Sequence, residues 1–420
     1  MSLEEKHQGL EKVPTLLADH GNPVMLEAGS EEQLKPVYGD RWTKRLLRIG
    51  VEDRGVQPIP IELRTDTQLY KVFFIWFSWN INILTFSAGT LGPVVFGLGL
   101  RDTCLTILFF NLLCCLPAAY LCTWGPKTGM RQMVLSRYAF GYYGVIIPSI
   151  FNLVTMLGFS ILSAILGGQA LASITTNLSW TVGIVVIGVI SLLVSFCGFN
   201  VFSCPKIPSW KIFFCVYIAL SSPVIILQCL GAVAAVAAPN VPEWQIGYEG
   251  RDVGGLLEAM LHPAGNFGKF LTVLLSISVV GNMAGISYSS SFNLQLVVAL
   301  AIPGAHRFYD TLLNFLGLIG YWSGAFFAIV LAEHLCFRRN NCDNYDISAW
   351  DVPHRLPSGL AALGAGFGSL ALVVPSMHQV WFIGPIAEFT GDIGFEMAFA
   401  LGGLLYVPLR WLEIKIQKRV

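Results

Sequence analysis

Residues 72–100 read VFFIWFSWNINILTFSAGTLGPVVFGLGL and contain no charged side chain. A bilayer-crossing helix needs about 20 mostly apolar residues, so this stretch can cross a membrane. Its polar residues, Asn80, Asn82, Thr85 and Ser87, lie in its first half and middle, where apolar ones would be expected. Gly89, Gly92 and Pro93 then weaken the helix. Unwound backbone at membrane depth is tolerated only where it is buried or lines a cavity. Interrupted helices also offer carbonyls and helix ends to substrates and ions. Two readings stay open: a proline kink whose small residues pack on a neighbour, or a broken helix lining a binding site.

The rest of the chain supports a membrane setting. Of its 420 residues, 54% are hydrophobic and 12% charged, and the mean hydropathy is +0.63. Soluble domains carry about 25% charged residues. Residues 1–71 hold ten Lys/Arg and twelve Asp/Glu, whereas residues 72–238 hold only seven charges. Further spans are expected at 103–124, 145–174, 181–199, 212–238, 269–287, 310–333, 357–375 and 393–409. All are helical, because a spanning segment must satisfy its own backbone hydrogen bonds. The expected domains are a cytoplasmic tail over 1–71, a transmembrane unit over 72–410 and a cytoplasmic tail over 411–420.

Basic residues set the expected orientation. Arg41, Lys44, Arg45, Arg48 and Arg54 precede the first span, and Lys127, Arg131 and Arg137 follow the second. The loop at 239–268 is instead acidic, with Glu243, Glu249, Asp252 and Glu258 against Arg251. This pattern puts both termini in the cytoplasm. Keeping Arg338, Arg339 and the basic C-terminus on that side requires one more crossing, for which only the short Ser291–Ala305 is available. About ten crossings are therefore expected, in a multi-pass protein of the plasma membrane whose surroundings are the lipid bilayer.

Phe159 and Ser163 are four apart in the third span and share a helix face. An aromatic platform with a hydroxyl one turn on would suit a flat polar heterocycle, although a small-residue packing face fits the same stretch. Asn282 lies within VVGNMAG of a later span. Glu333-His334 falls at a span end and reads as a solvated, interfacial pair. Charges inside spans mark ion and proton paths, and none lies deep in these spans. The expected substrate is therefore neutral, with any coupling ion, a proton or sodium, held by carbonyls and hydroxyls. No enzyme, metal or cofactor motif is present, nor is there a basic, aromatic-interleaved face for nucleic acid.

Several stretches resemble the fungal purine-cytosine permeases of nucleobase-cation symporter family 1. They are Arg48–Pro93, opening RIGVEDRGVQPIPIELRTD; LQCLGAVAAVAAPNVPEW; GRDVGGLLEAMLHPAGNFGKFLTVLLSISVVGN; and Leu312–Arg338, LLNFLGLIGYWSGAFFAIVLAEHLCFR. The resemblance implies an all-α polytopic membrane protein with a LeuT-type five-plus-five inverted-repeat fold. It also implies proton- or cation-coupled import of purines or cytosine by alternating access. The family's third-span aromatic, commonly Trp, falls on Phe159, and its amide-bearing partner on Ser163. The eighth-span Asn falls on Asn282, and the first-span lining on the region Asn80 to Ser87. After the fourth span, GFNVFSCPKIPSWK leads directly into a segment resembling the family's seventh. The fifth and sixth spans are missing, leaving about ten instead of twelve. Two other functions stay open: a permease-like protein that does not transport, and a transporter of a related neutral heterocycle such as allantoin or a vitamin.

Overall fold

The computed structural model describes residues 57–61, 64, 68–175, 177–195, 207–290, 301, 308–379 and 381–418. The expected N-terminal tail up to residue 56 lies outside these, as does the thin crossing Ser291–Ala305 apart from Ala301. The longer helices are α1 (Leu69–Asn80), α2 (Ile83–Val94), α3 (Leu100–Cys122), α4 (Ile146–Ser173), α5 (Trp180–Ser195), α6 (Ser209–Ala237), α7 (Pro242–Leu261), α8 (Gly265–Ser290), α9 (Phe308–Ala332), α10 (Leu360–Ser376) and α11 (Gly394–Gln417). A two-stranded antiparallel hairpin pairs His378–Gln379 with Phe382–Ile383 between α10 and α11.

The first span is broken. α1 and α2 meet at a bend of 51°. The break falls at Ile81–Asn82 and not at the glycine–proline stretch, because Asn82 caps the second helix. Its backbone is extended (φ −143°, ψ 166°) and its Oδ1 accepts from the Thr85 amide at 3.1 Å. An asparagine in this position satisfies one of the orphan N–H groups at a helix start. Pro93 lies in the last turn of α2, where it has no N–H to give the Gly89 carbonyl but does not break the helix before its end. Gly89 instead allows close helix packing. A Cβ there would lie 1.9 Å from the Gln228 carbonyl oxygen, and one on Gly231 would lie 2.1 Å from that of Phe86. Small residues let α2 and α6 touch backbone to backbone, as membrane helices commonly do.

Three groups of helices result. α6 lies along α1, α2 and α3; α4 packs against α5, α7 and α8; and α11 packs against α9 and α10. One apolar cluster, from Ile83 and Phe86 through Leu162 and Leu166 to Val279, Met283 and Leu312, joins α2, α4, α8 and α9. Outward faces are apolar too: Phe109 and Leu113 on α3 are each more than half exposed. Such surface suits hydrocarbon rather than water, and the chain is an integral, multi-pass membrane protein. The run Pro242–Ile286 is apolar enough on average to count as one span, but only its α8 part is one. α7 carries five charged residues, and its helix is interrupted at Arg251–Asp252.

α1 and α2 differ sharply in cover. α2 buries seven residues, including Ser87 and Thr90, whereas α1 buries none. Tyr70 and Phe74 of α1, with Ile81 at the break, border an open cleft of about 490 Å³. The expected junction of the two missing spans falls at residues 196–206, outside the described residues.

At the α9 end nearest residues 123–145, one expectation is corrected. Glu333 and His334 are not solvated: each is only 1% exposed. Arg410, just past the expected span 393–409, is fully buried too, in α11, which continues to Gln417. Pairing explains both. Glu333 accepts from Arg338 Nε (3.0 Å), Arg410 Nε (3.2 Å) and Tyr406 Oη (2.9 Å). Arg410 also donates to Glu413 (3.0 Å), whose other oxygen accepts from Ser358. Two arginines and two glutamates balance, so the cluster can lie out of water.

Candidate substrate site

The break of the first span faces α8. The Ile83 amide donates to Ser278 Oγ at 3.2 Å, and that hydroxyl donates to the Leu275 carbonyl at 2.6 Å. Asn282 lies one turn beyond Ser278, and residues four apart share a helix face. At Gly285 a Cβ would come within 2.8 Å of the Trp79 ring, so this face of α8 follows the first span across its break. The structure thus brings Asn282, which is partly buried, to the region of Asn80 and Asn82.

The asparagine side chains act locally. Asn80 Nδ2 donates to the Trp76 carbonyl and Asn82 Nδ2 to that of Trp79, both at 2.7 Å. Ser87 Oγ is fully buried and donates to the Leu84 carbonyl at 2.9 Å. Thr85 is partly buried, its amide engaged by Asn82. These groups hold the broken helix in shape, and what they offer a ligand in this state is the lone pairs left over.

On α4, the Phe159 ring meets Phe315 of α9 edge to face, with centroids 5.2 Å apart. Gly158 makes room for that neighbour, since a Cβ there would lie 1.8 Å from the Phe315 ring. One turn on, the Ser163 hydroxyl is fully buried, and so is that of Ser160; neither has a hydrogen-bond partner among the described residues. Leaving a buried hydroxyl unpaired costs about 1–3 kcal/mol, so two of them on the stretch of α4 that carries Phe159 mark a place where a polar ligand would be welcome. Both belong to the stretch of α4 that runs along the apolar cluster joining α2, α8 and α9. No ionisable side chain stands among the seven predicted residues.

Ser160 and Ser278 were not among the residues singled out from sequence. Both could have been found by helical spacing, three before Ser163 and four before Asn282. Phe315 could not, because the ring opposing Phe159 comes from a helix 156 positions away in the chain.

A broken first span packed between a central helix pair, within a bundle of lipid-facing helices, defines a LeuT-type membrane transporter and not an enzyme. The fold is similar to that of Mhp1, a nucleobase-cation-symport-1 family transporter solved in a closed conformation with bromovinylhydantoin bound. The TM-score is 0.59 at 13% identity, covering 87% of this chain and 97% of that one. The chain resembles nucleobase-cation symporter family 1 in sequence as well. The family model described as a permease for cytosine/purines, uracil, thiamine and allantoin matches residues 58–207. The purine-cytosine permease fcyB of Emericella nidulans is 29% identical, over 90% of this chain and 92% of the relative. The vitamin B6 transporter TPN1 of Saccharomyces cerevisiae is 26% identical, over 89% of each. The alignment with fcyB runs to 474 positions, longer than the whole 420-residue chain. That relative therefore carries positions with no counterpart here, in keeping with the missing spans.

Proposed function

We propose that this chain imports a nucleobase, a purine or cytosine, together with a proton or other cation, by alternating access. The flat, neutral ring would stack on Phe159 with its polar edge toward Ser160, Ser163 and Asn282. The segment from Asn80 to Ser87 would close the other side. The observation that carries this reading is the pair of buried, unpartnered hydroxyls of Ser160 and Ser163, on the same stretch of α4 as Phe159. The basic ends support a cytoplasmic position for both termini, and the membrane is proposed to be the plasma membrane. Rocking of the α1–α2–α3–α6 group against α4, α5 and α8 would expose the site to each side in turn.

Hydroxyls replace the amide the family commonly carries opposite the ring, and this favours a second reading, a related heterocycle such as allantoin or a vitamin. A site built to bond a particular base edge discriminates strongly, whereas a hydroxyl that rotates to suit its partner discriminates less. Competition of labelled adenine, hypoxanthine and cytosine uptake by unlabelled heterocycles separates the two. Under the first reading a nucleobase competes best. Phe159→Ala is expected to raise the half-saturation concentration about tenfold or more, since base–aromatic stacking contributes roughly 1–3 kcal/mol. An unchanged half-saturation concentration in Phe159→Ala would remove Phe159 from the site.

A further inference from the structure

At the end of the bundle opposite the Glu333 cluster, a line of hydroxyl and carboxyl groups connects the loop helix α7 to the broken first span. Thr90 of α2 donates its hydroxyl hydrogen to the Ser87 carbonyl at 2.8 Å, and its oxygen lies 3.0 Å from the Tyr309 hydroxyl. With the threonine hydrogen committed, Tyr309 is the donor in that second contact. The Tyr309 phenol, at the start of α9, also interacts with that of Tyr248 on α7, the two rings being 6.3 Å apart. Tyr248 lies one turn before Asp252, whose charge acts on both phenols. Asp252 Oδ2 accepts from Gln169 Nε2 of α4 at 3.1 Å. The carboxyl thus ties α7 to α4, and it acts electrostatically on the Tyr248–Tyr309 pair that leads to Thr90 of α2.

Asp252 occupies an unusual position. It interrupts α7 with φ +51° and ψ −144°, a conformation suited to glycine and strained for any other residue. It is half-buried, and no cation among the described residues offsets its charge. Arg251 points elsewhere, donating to the Ala172 carbonyl. Glu249 is exposed and accepts from Gln245, and Glu258 lies further along α7. α4 has no titratable residue along its length. Lys269, the one charged residue of α8, and His262 before it are both exposed. From α9 comes Tyr309, followed by Asp310, whose side chain is not among those described. Burial without a counter-charge pushes the Asp252 carboxyl above the usual carboxylate range, a shift the Gln169 hydrogen bond only partly offsets.

We propose that Asp252 is a proton-binding gate residue, and that its protonation state sets how firmly α7 and α9 close over the broken first span. The proton comes from water on the side that the 239–268 loop faces, adds to a carboxylate oxygen, and returns to water when the gate opens. On protonation the carboxyl group changes from acceptor to donor. It can then give a hydrogen to Tyr248, and the line Tyr248–Tyr309–Thr90 acquires a donor at its outer end. In the ionised form the same group is a buried charge that favours opening to water.

The inference rests on the proposed transport function for its consequence, but not for its proton. Purified protein in detergent is titrated while the infrared band of protonated carboxyl groups is recorded. A band that titrates above the usual aspartate value of about 3.9, and that vanishes in Asp252→Asn, is expected. In cells, Asp252→Asn is expected to keep nucleobase uptake and lose its dependence on external pH. Tyr309→Phe is expected to keep the infrared band and lose the same pH dependence, a combination that a merely structural role for Asp252 would not produce. If the wild-type chain moves no nucleobase, the transport reading falls and the infrared titration alone decides the proton site. If Asp252→Asn does not fold, Tyr309→Phe and the wild-type titration carry the test. The proposal is overturned by a carboxyl that titrates in the ordinary range, or by variants that keep the wild-type pH profile.

Discussion

Replacing Glu333 with alanine is expected to remove most of the folded protein. The side chain is the shared acceptor for Arg338, Arg410 and Tyr406, and both arginines are nearly or wholly out of water. Removing one partner from a buried ion cluster costs about 3–5 kcal/mol, because the remaining charges keep their desolvation penalty and lose their compensation. That is a large part of the about 5–15 kcal/mol by which proteins are stable. The cluster also ties α9 to α11 and, through Arg338 and the Asn344 carbonyl at 3.1 Å, to the loop after α9. Loss should therefore spread through three segments. The check is the yield of monodisperse protein in fluorescence-detected size exclusion, with its melting temperature. Glu333→Gln, which keeps an acceptor oxygen for Tyr406 but gives up the charge, should fall between wild type and alanine. A Glu333→Ala protein of wild-type yield and melting temperature would show that the cluster contributes little.

The second large effect is expected at Gly89. There α2 meets α6 with no side chain between the backbones, and a Cβ would lie 1.9 Å from the Gln228 carbonyl oxygen. Backbone cannot rotate out of the way as a flexible side chain can, so Gly89→Ala should cost about 1–3 kcal/mol as an overpacked contact. Gly89→Val should cost more. The shift it forces moves α2, and with it the broken segment facing Ser278 and Asn282. Gly89→Val should therefore abolish uptake even where some protein still reaches the membrane, whereas Gly99, with open space around it and a φ of −65° that any residue adopts, should accept alanine with a much smaller loss. Surface labelling alongside uptake separates misplacement from misfolding. Normal uptake by Gly89→Val would mean that α2 and α6 do not sit as described.

The spans could be read from the sequence because lipid imposes one rule on the whole length of each helix. The shared face of Phe159 and Ser163 could be read for a similar reason, since helical spacing is local. What depends on partners from elsewhere could not. Glu333-His334 looks like a solvated pair when taken alone, and only Arg410, 77 positions further on, makes its burial possible. Asp252 looks like one more acidic loop residue until Tyr309 and Gln169 are placed beside it. The break in the first span lies in between. Glycine and proline drew attention to residues 89–93, but the capping power of Asn82 decided the place, and the glycines serve the contact with α6. Sequence reading took Asn80 and Asn82 as ligands. In the structure they are first of all braces for the broken helix, and a substrate role for them would come in addition to that.

The uncovered face of α1 and the two missing spans bear on whether a bundle of this size still completes a transport cycle. The most direct measurement is saturable uptake of radiolabelled adenine, hypoxanthine and cytosine by cells that lack their own nucleobase permeases and express this chain, with surface labelling to show that it has reached the membrane. Transport by the broken first span, α4 and α8 predicts saturable uptake above empty vector that unlabelled nucleobase abolishes. Uptake indistinguishable from empty vector, with the protein demonstrably at the cell surface, would contradict it.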